Sequence, residues 1–139
     1  MKGFRLGALL GAVVCSFPSA AIAQTSATDN AYLNDLYSFL QSQDGFTYTM
    51  ATQSMSAEEN VWAAQTFCEA FATGVDPKVA YEAYTTGAIS YGQSYYDEES
   101  VQELAYAIGL YGGAVMNLGS THYCPQYNAQ VQQALNSLR

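Results

Sequence analysis

A helix signal with both ends marked runs from residue 56 to residue 74, SAEENVWAAQTFCEAFATG. Ser56 and Glu59 stand three residues apart before an apolar run, which is the capping-box pattern of a helix start. Gly74 stands where helices commonly end. One face of this helix is apolar and consists of Val61, Ala64, Cys68, Phe71 and Ala72. The sequence therefore predicts that Cys68 faces a core, where it could tie the helix to another element.

The segment before this helix is also helical in pattern. Apolar side chains recur at helical spacing after Ala31, Asp29 can cap the start, and Asp44-Gly45 can end the run. The stripe consists of Leu33, Leu36, Tyr37 and Leu40. Residues 46–50 (FTYTM) alternate like a strand, but the chain offers no second strand to pair with. We therefore predict an extended connector at residues 46–50.

Further helices are predicted after residue 74. Asp76-Pro77 supplies an N-cap and a favoured first helical residue, and the carboxylates of residues 97–99 suit the positive end of the next helix dipole. A last helix is expected over residues 126–137. Residues 77–96 fit one helix or two, because two internal glycines weaken the pattern. The predicted fold class is all-α, a small bundle of four to five helices.

The first 23 residues match an export signal. Lys2 and Arg5 precede the nine apolar residues LGALLGAVV, and Ala21-Ile22-Ala23 is a small-x-small site, so we predict cleavage before Gln24. The alternative is an uncleaved membrane anchor, since residues 6–23 are just long enough to be considered. Export could end in a periplasm or in the medium, and the sequence does not distinguish the two.

The chain that remains after the predicted cleavage has the length of one domain and contains two cysteines. We expect residues 24–30 to form a flexible lead-in and residues 31–139 to form a single helical domain, while Cys15 leaves with the signal. Cys68 and Cys124 allow one intramolecular pairing in an oxidising compartment, so the sequence predicts a disulfide between them. A metal site would need more soft ligands, and a redox pair usually has Cys-x-x-Cys spacing. No cofactor and no metal site are predicted.

The charge of the chain excludes two classes of partner. The formal net charge is -8, and beyond residue 23 only Lys78 and Arg139 oppose all twelve carboxylates. Nucleic acid binding needs Lys and Arg to neutralise phosphates, and binding to an anionic membrane surface needs a basic face. We therefore expect neither nucleic acid nor an anionic membrane surface as a partner.

Three local patterns are shared with a known family of small exported proteins. Residues 37–40 (YSFL) and 45–48 (GFTY) fit its first helix and the glycine and aromatic residue that follow, and residues 67–74 (FCEAFATG) fit its cysteine-bearing second helix. Tyr123-Cys124-Pro125 fits its closing motif. Over residues 31–127 the chain resembles the domain of unknown function 732 family. The resemblance implies a small exported helical domain with a Cys–Cys bridge, and it implies no activity.

Tyrosine is the unusual feature of the composition, with twelve residues that all follow residue 23. The candidate binding face consists of Tyr81, Tyr84, Tyr91, Tyr95 and Tyr96. Tyrosine offers a rigid apolar ring and a hydroxyl at low entropic cost. Such a face suits an envelope or extracellular protein, a peptide or a glycan. The alternative is that these rings fill the half-buried margin of a small bundle.

A catalytic site is not predicted. His122 is the only histidine, and it lies two residues from Cys124, whose thiol a disulfide would remove. No G-x-S-x-G motif supports a serine nucleophile, and the acidic residues at 58–59 and 97–99 are explained by helix N-termini. The alternative function is a secreted hydrolase that uses carboxylates with or without His122, because any two of the twelve could converge.

Overall fold

The computed structural model describes residues 26–139, and every regular element in that range is helical. The α-helices are α1 (Ala27–Gln43), α2 (Gly45–Thr49), α3 (Ala57–Ala72), α4 (Pro77–Gln93), α5 (Glu98–Tyr123) and α6 (Asn128–Ser137). A π-helical turn, Met50–Ser54, continues α2, and a 3-10 turn, Pro125–Tyr127, precedes α6. The all-α prediction is confirmed, but the described residues form six helices rather than four to five. The predicted signal peptide, residues 1–23, lies outside the described residues.

Helix α1 begins earlier than the sequence predicts, within the segment 24–30 that was expected to be a lead-in. Its N-cap is Ser26 and not Asp29. The Ser26 hydroxyl accepts a hydrogen bond from the backbone N–H of Asp29, the Asp29 carboxylate accepts one from the backbone N–H of Ser26, and both distances are 3.0 Å. This reciprocal pair satisfies two N–H groups that would otherwise lack partners at the helix start. The same arrangement, predicted at Ser56 and Glu59, is confirmed at the start of α3.

The extended connector predicted at residues 46–50 is wrong, because residues 45–54 are helical. Asp44 is the N-cap of α2, and its Oδ2 accepts hydrogen bonds from the backbone N–H of Thr47 at 2.8 Å and from the Thr47 hydroxyl at 2.6 Å. Thr47 is fully buried, whereas its neighbour Phe46 is exposed. The alternation of Thr with aromatic residues therefore reflects a capped helical turn and not the two faces of a strand.

The core forms where α1 and α3 pack against α5, which contacts each of the other five helices. The predicted stripe of α1 is largely confirmed, with Leu33, Leu36 and Leu40 buried. Small residues on α5 allow close approach: a Cβ added to Gly119 would lie 2.9 Å from the Cβ of Ala64 on α3. Such a contact leaves room for a hydrogen atom at that position and for nothing larger.

The disulfide lies at the same crossing of α3 and α5. The Sγ atoms of Cys68 and Cys124 are bonded at 2.01 Å, and the bridge joins residues 56 positions apart. This confirms the pairing predicted from the sequence and the core-facing position of Cys68, although Ala72, predicted on the same face, is exposed. Within residues 26–139, none of the helices is both long enough and apolar enough to cross a membrane.

Candidate functional site

The candidate tyrosine face divides into a packed part and an exposed part. Tyr81 and Tyr84, on the first half of α4, pack against α5. The Tyr81 hydroxyl donates a hydrogen bond to the backbone oxygen of Gly109 at 3.0 Å. The ring of Tyr84 covers Gly112 and lies 5.7 Å from the ring of Phe67, centroid to centroid. Burial raises the pKa of Tyr84 to about 12. These two tyrosines hold α4 on α5, as half-buried tyrosines commonly do.

The exposed part consists of Tyr91, Tyr95 and Tyr96, which we call the tyrosine tip. Their exposed fractions are 69%, 68% and 58%. Helix α4 ends at Gln93, and the turn after it is fixed by hydrogen bonds from the backbone N–H groups of Tyr95 and Tyr96 to the oxygen of Gly92. The rings of Tyr91 and Tyr95 lie 4.9 Å apart, centroid to centroid. A backbone held in this way presents three large apolar rings to solvent in a defined arrangement.

Negative charge follows the tyrosine tip directly. Asp97 caps α5 by accepting a hydrogen bond from the backbone N–H of Ser100 at 2.8 Å, and this bond holds the pKa of its carboxyl below the usual value. Glu98 and Glu99 occupy the first turn of α5 and are exposed. The predicted role of these carboxylates at a helix start is confirmed. Lys78 lies at the opposite end of α4, so the charge next to the tip in the chain is entirely acidic.

His122 links the end of α5 to α1. Its Nε2 lies 2.8 Å from Oδ2 of Asp35, and its ring meets the ring of Tyr32 edge-on with centroids 6.2 Å apart. One residue on, the Tyr123 hydroxyl donates to Oδ1 of Asp29 at 2.5 Å. Both pairs connect the C-terminal turn of α5 to α1. Among residues 26–139, His122 has no serine, threonine or cysteine as a hydrogen-bond partner.

Known proteins give no further guidance. No family model, curated protein or solved structure matches the chain. The described residues also contain no group of three or more His, Cys, Asp or Glu side chains arranged to hold a metal ion.

Sequence reasoning missed the polar centre of the core, Asn60. Its Oδ1 accepts a hydrogen bond from the Tyr111 hydroxyl at 2.8 Å, and its Nδ2 donates to the backbone oxygens of Ala51 at 2.9 Å and Ser56 at 2.8 Å. The Tyr32 hydroxyl donates to the backbone oxygen of Asn60 at 3.1 Å. A buried amide with its polar atoms satisfied fixes the relative positions of the segments that it joins. Its Nδ2 also lies 3.4 Å from the hydroxyl of the half-buried Tyr37, so the polar atoms of this amide are used in holding the core together.

Sequence reasoning also missed a cavity of about 290 Å³ between α1, α4, α5 and α6. Phe39, Leu135 and Leu138 supply apolar walls, Gly113 lies on the α5 side, and Arg139 is the one charged residue in the lining. The small residues Gly109, Gly113 and Ala114 of α5 line it and are its signal in the sequence.

Proposed function

We propose that this protein is an exported binding module that presents the tyrosine tip to a protein, a peptide or a glycan of the cell envelope or the extracellular space. The observation that carries the proposal is the exposure of three tyrosine rings at the end of α4 and in the hydrogen-bonded turn that follows it. Large apolar side chains that stay in solvent next to each other are typical of interaction surfaces. The export signal predicted at residues 1–23 and the disulfide support an oxidising compartment.

The chemistry of the tip narrows the class of partner. Tyrosine rings contribute contact area with little loss of rotamer freedom, and their hydroxyls can donate or accept hydrogen bonds. Asp97, Glu98 and Glu99 repel anions, so the partner is neutral or cationic where it meets the tip. We also propose that the chain is related to the domain of unknown function 732 family. The resemblance to that family rests on the closing motif at 123–125 and on the cysteine-bearing helix.

Replacement of the three tip tyrosines by serine tests the proposal. Oxidised protein is immobilised, incubated with its own envelope fraction, and the retained material is quantified. We expect the triple variant Tyr91→Ser, Tyr95→Ser, Tyr96→Ser to retain about tenfold less envelope material than the unchanged protein. The reason is that aromatic anchors dominate the binding energy of such surfaces. Trp62→Ser is the matched control, since Trp62 on α3 is 67% exposed. Equal retention by the triple variant and the unchanged protein, with identical circular dichroism, would remove the tip from the binding surface.

A hydrolase is the second candidate function, and one observation favours it. His122 is hydrogen-bonded to the carboxylate of Asp35. In many hydrolases a carboxylate orients the catalytic histidine, which acts as a general base, in the same way. Ester, glycan and peptide substrates would be assayed with the unchanged protein and with His122→Gln and Asp35→Asn. Turnover that both variants abolish would establish the hydrolase, and turnover that neither variant changes would come from a contaminant or another site.

A further inference from the structure

Two rings of the tyrosine tip lie close enough to react with each other. The rings of Tyr91 and Tyr95 are 4.9 Å apart, centroid to centroid, and their planes are inclined by 43°. This separation is near the lower end of the range for packed aromatic pairs, which is about 4.5–7 Å. Both side chains are more than two thirds exposed, so a reagent in solvent can reach the pair from outside.

The other tyrosine pairs are shielded from such a reagent. Within residues 26–139, tyrosine rings also meet between Tyr32 and Tyr123 and between Tyr84 and Tyr111. Each of these pairs includes a fully buried ring, that of Tyr32 or Tyr111, whose hydroxyl donates a hydrogen bond to Asn60. The pair at the tip is therefore the one contact between tyrosine rings, in the described part of the chain, that solvent reaches on both sides.

The backbone between the two rings is fixed, whereas the side chains can still move. The N–H of Ser94 donates to the oxygen of Tyr91 at 3.2 Å, and the N–H of Tyr95 donates to the oxygen of Gly92 at 3.0 Å. The hydroxyls of Tyr91 and Tyr95 form no hydrogen bond with any residue of the range 26–139, so water can take up their protons. Exposed side chains change rotamer in about picoseconds to nanoseconds. The movement that a bond between the rings requires is therefore one of side chains.

We propose that Tyr91 and Tyr95 form an oxidative cross-linking site, at which a peroxidase with hydrogen peroxide joins the two rings as dityrosine. Each phenol loses one electron and one proton, and the two phenoxyl radicals form a carbon–carbon bond between ring positions next to the hydroxyls. The protons on those two carbons move to the oxygens through solvent, which restores both aromatic rings and both hydroxyls. In total the protein loses two hydrogen atoms, and one peroxide is reduced to two water molecules.

The cross-link changes the tyrosine tip in a defined way. It joins the last turn of α4, which ends at Gln93, to the turn that leads into α5, and it fixes two of the three exposed rings. Export as predicted places the chain in an oxidising compartment, where such chemistry is available. The inference does not rest on the binding function proposed for the tip, because the reaction involves the protein and the oxidant alone.

The first test treats the disulfide-bonded protein with a peroxidase and hydrogen peroxide, isolates the monomer, and measures its mass and fluorescence. The monomer should lose the mass of two hydrogen atoms and gain the fluorescence of dityrosine. Cleavage after glutamate should place the loss in the fragment 83–98, without backbone fragment ions between residues 91 and 95. Dilution of the protein by about tenfold should leave the cross-linked fraction of the monomer unchanged, because the reaction occurs within one chain.

Three variants that each remove one hydroxyl and keep the ring identify the partners. Tyr91→Phe and Tyr95→Phe should each lose the cross-link in the monomer, because a phenylalanine ring forms no phenoxyl radical. Tyr96→Phe is the matched control and should keep it. Tyr96 is 58% exposed, but within residues 26–139 its ring contacts no other tyrosine ring. In urea, where the fold is lost, other tyrosine pairs should also react and the preference for this pair should disappear.

Several results would overturn the proposal. It is wrong if the treated monomer keeps its full mass, whether or not cross-linked dimers form, or if the loss of hydrogen maps to another pair of tyrosines. It is also wrong if Tyr91→Phe or Tyr95→Phe still yields dityrosine in the monomer, or if Tyr96→Phe does not. Equal yield at the same pair in urea would show that nearness in the chain, and not the fold, brings the rings together.

Discussion

Loss of the Cys68–Cys124 bond should remove a large part of the stability of this protein. The bond closes a loop between residues 56 positions apart, and loop entropy for that length gives about 4 kcal/mol at 25 °C. The whole free energy of unfolding of a small domain is about 5–15 kcal/mol. For a domain of this size, 1 kcal/mol corresponds to about 4 °C in the melting temperature. The variant Cys68→Ala, Cys124→Ala should therefore melt about 16 °C lower.

Urea titration followed by circular dichroism measures this loss directly. The unchanged protein is titrated with and without a reductant, and the double alanine variant is titrated under the same two conditions. The reduced protein and the variant should agree within about 1 kcal/mol, and the reductant should have no effect on the variant. A loss below about 1 kcal/mol in both would refute the loop-entropy account and would mean that the contact of α3 with α5 at Gly119 holds the helices without the bond.

Three further perturbations follow from packing and burial. Gly119→Ala should destabilise the protein by about 1–3 kcal/mol in urea titration, whereas Gly87→Ala, whose added Cβ has nothing within 4 Å, should stabilise it by up to about 1 kcal/mol. Burial raises the pKa of Tyr84 to about 12 and raises the pKa of Tyr111 as well. As the pH rises, these hydroxyls therefore lose their protons at a lower pH in the unfolded chain than in the folded protein. The free energy of unfolding should be constant up to about pH 10 and should then fall by about 1.4 kcal/mol per pH unit for each ring between pH 10 and 12. The fall should be less steep in Tyr84→Phe, which has one such hydroxyl fewer. Asn60→Ala should cost about 1–3 kcal/mol, because the buried Tyr111 hydroxyl loses its acceptor, and a double-mutant cycle with Tyr111→Phe should show strong non-additivity.

The parts of the fold that sequence predicts well are those set by neighbours along the chain. The Ser56–Glu59 capping box, the Asp76-Pro77 start and the positive φ of Gly74 after α3 all depend on a few adjacent residues. The pairing of Cys68 with Cys124 was predictable for a different reason, since parity leaves one choice once the chain is taken as exported.

One wrong prediction and two features that the sequence did not reveal depend on residues far apart in the chain. Residues 46–50 look extended by alternation, but Thr47 is buried by packing and its polar groups are satisfied by Asp44, which only the fold reveals. The tyrosines between 81 and 96 follow helical spacing, yet only the rings on the first half of α4 pack against α5. Tyr91, on the same helix, is 69% exposed, and Tyr95 and Tyr96 follow the helix end at Gln93. The two tyrosines that hydrogen-bond to Asn60 in the core, Tyr32 and Tyr111, are 28 and 51 residues away from it, so the sequence around Asn60 does not show them.

The order of the helices along the chain has a consequence for how the protein is made. Helices α1 and α3 bury their apolar faces against α5, whose residues 98–123 come late in the chain. While a ribosome or a translocation channel still holds those residues, α1 and α3 can contact each other but lack the helix against which both bury their apolar faces. Cys124, next after α5, arrives later still, so the bond to Cys68 can form only on a chain that has emerged through residue 124. Folding of this protein is therefore a late event of its synthesis.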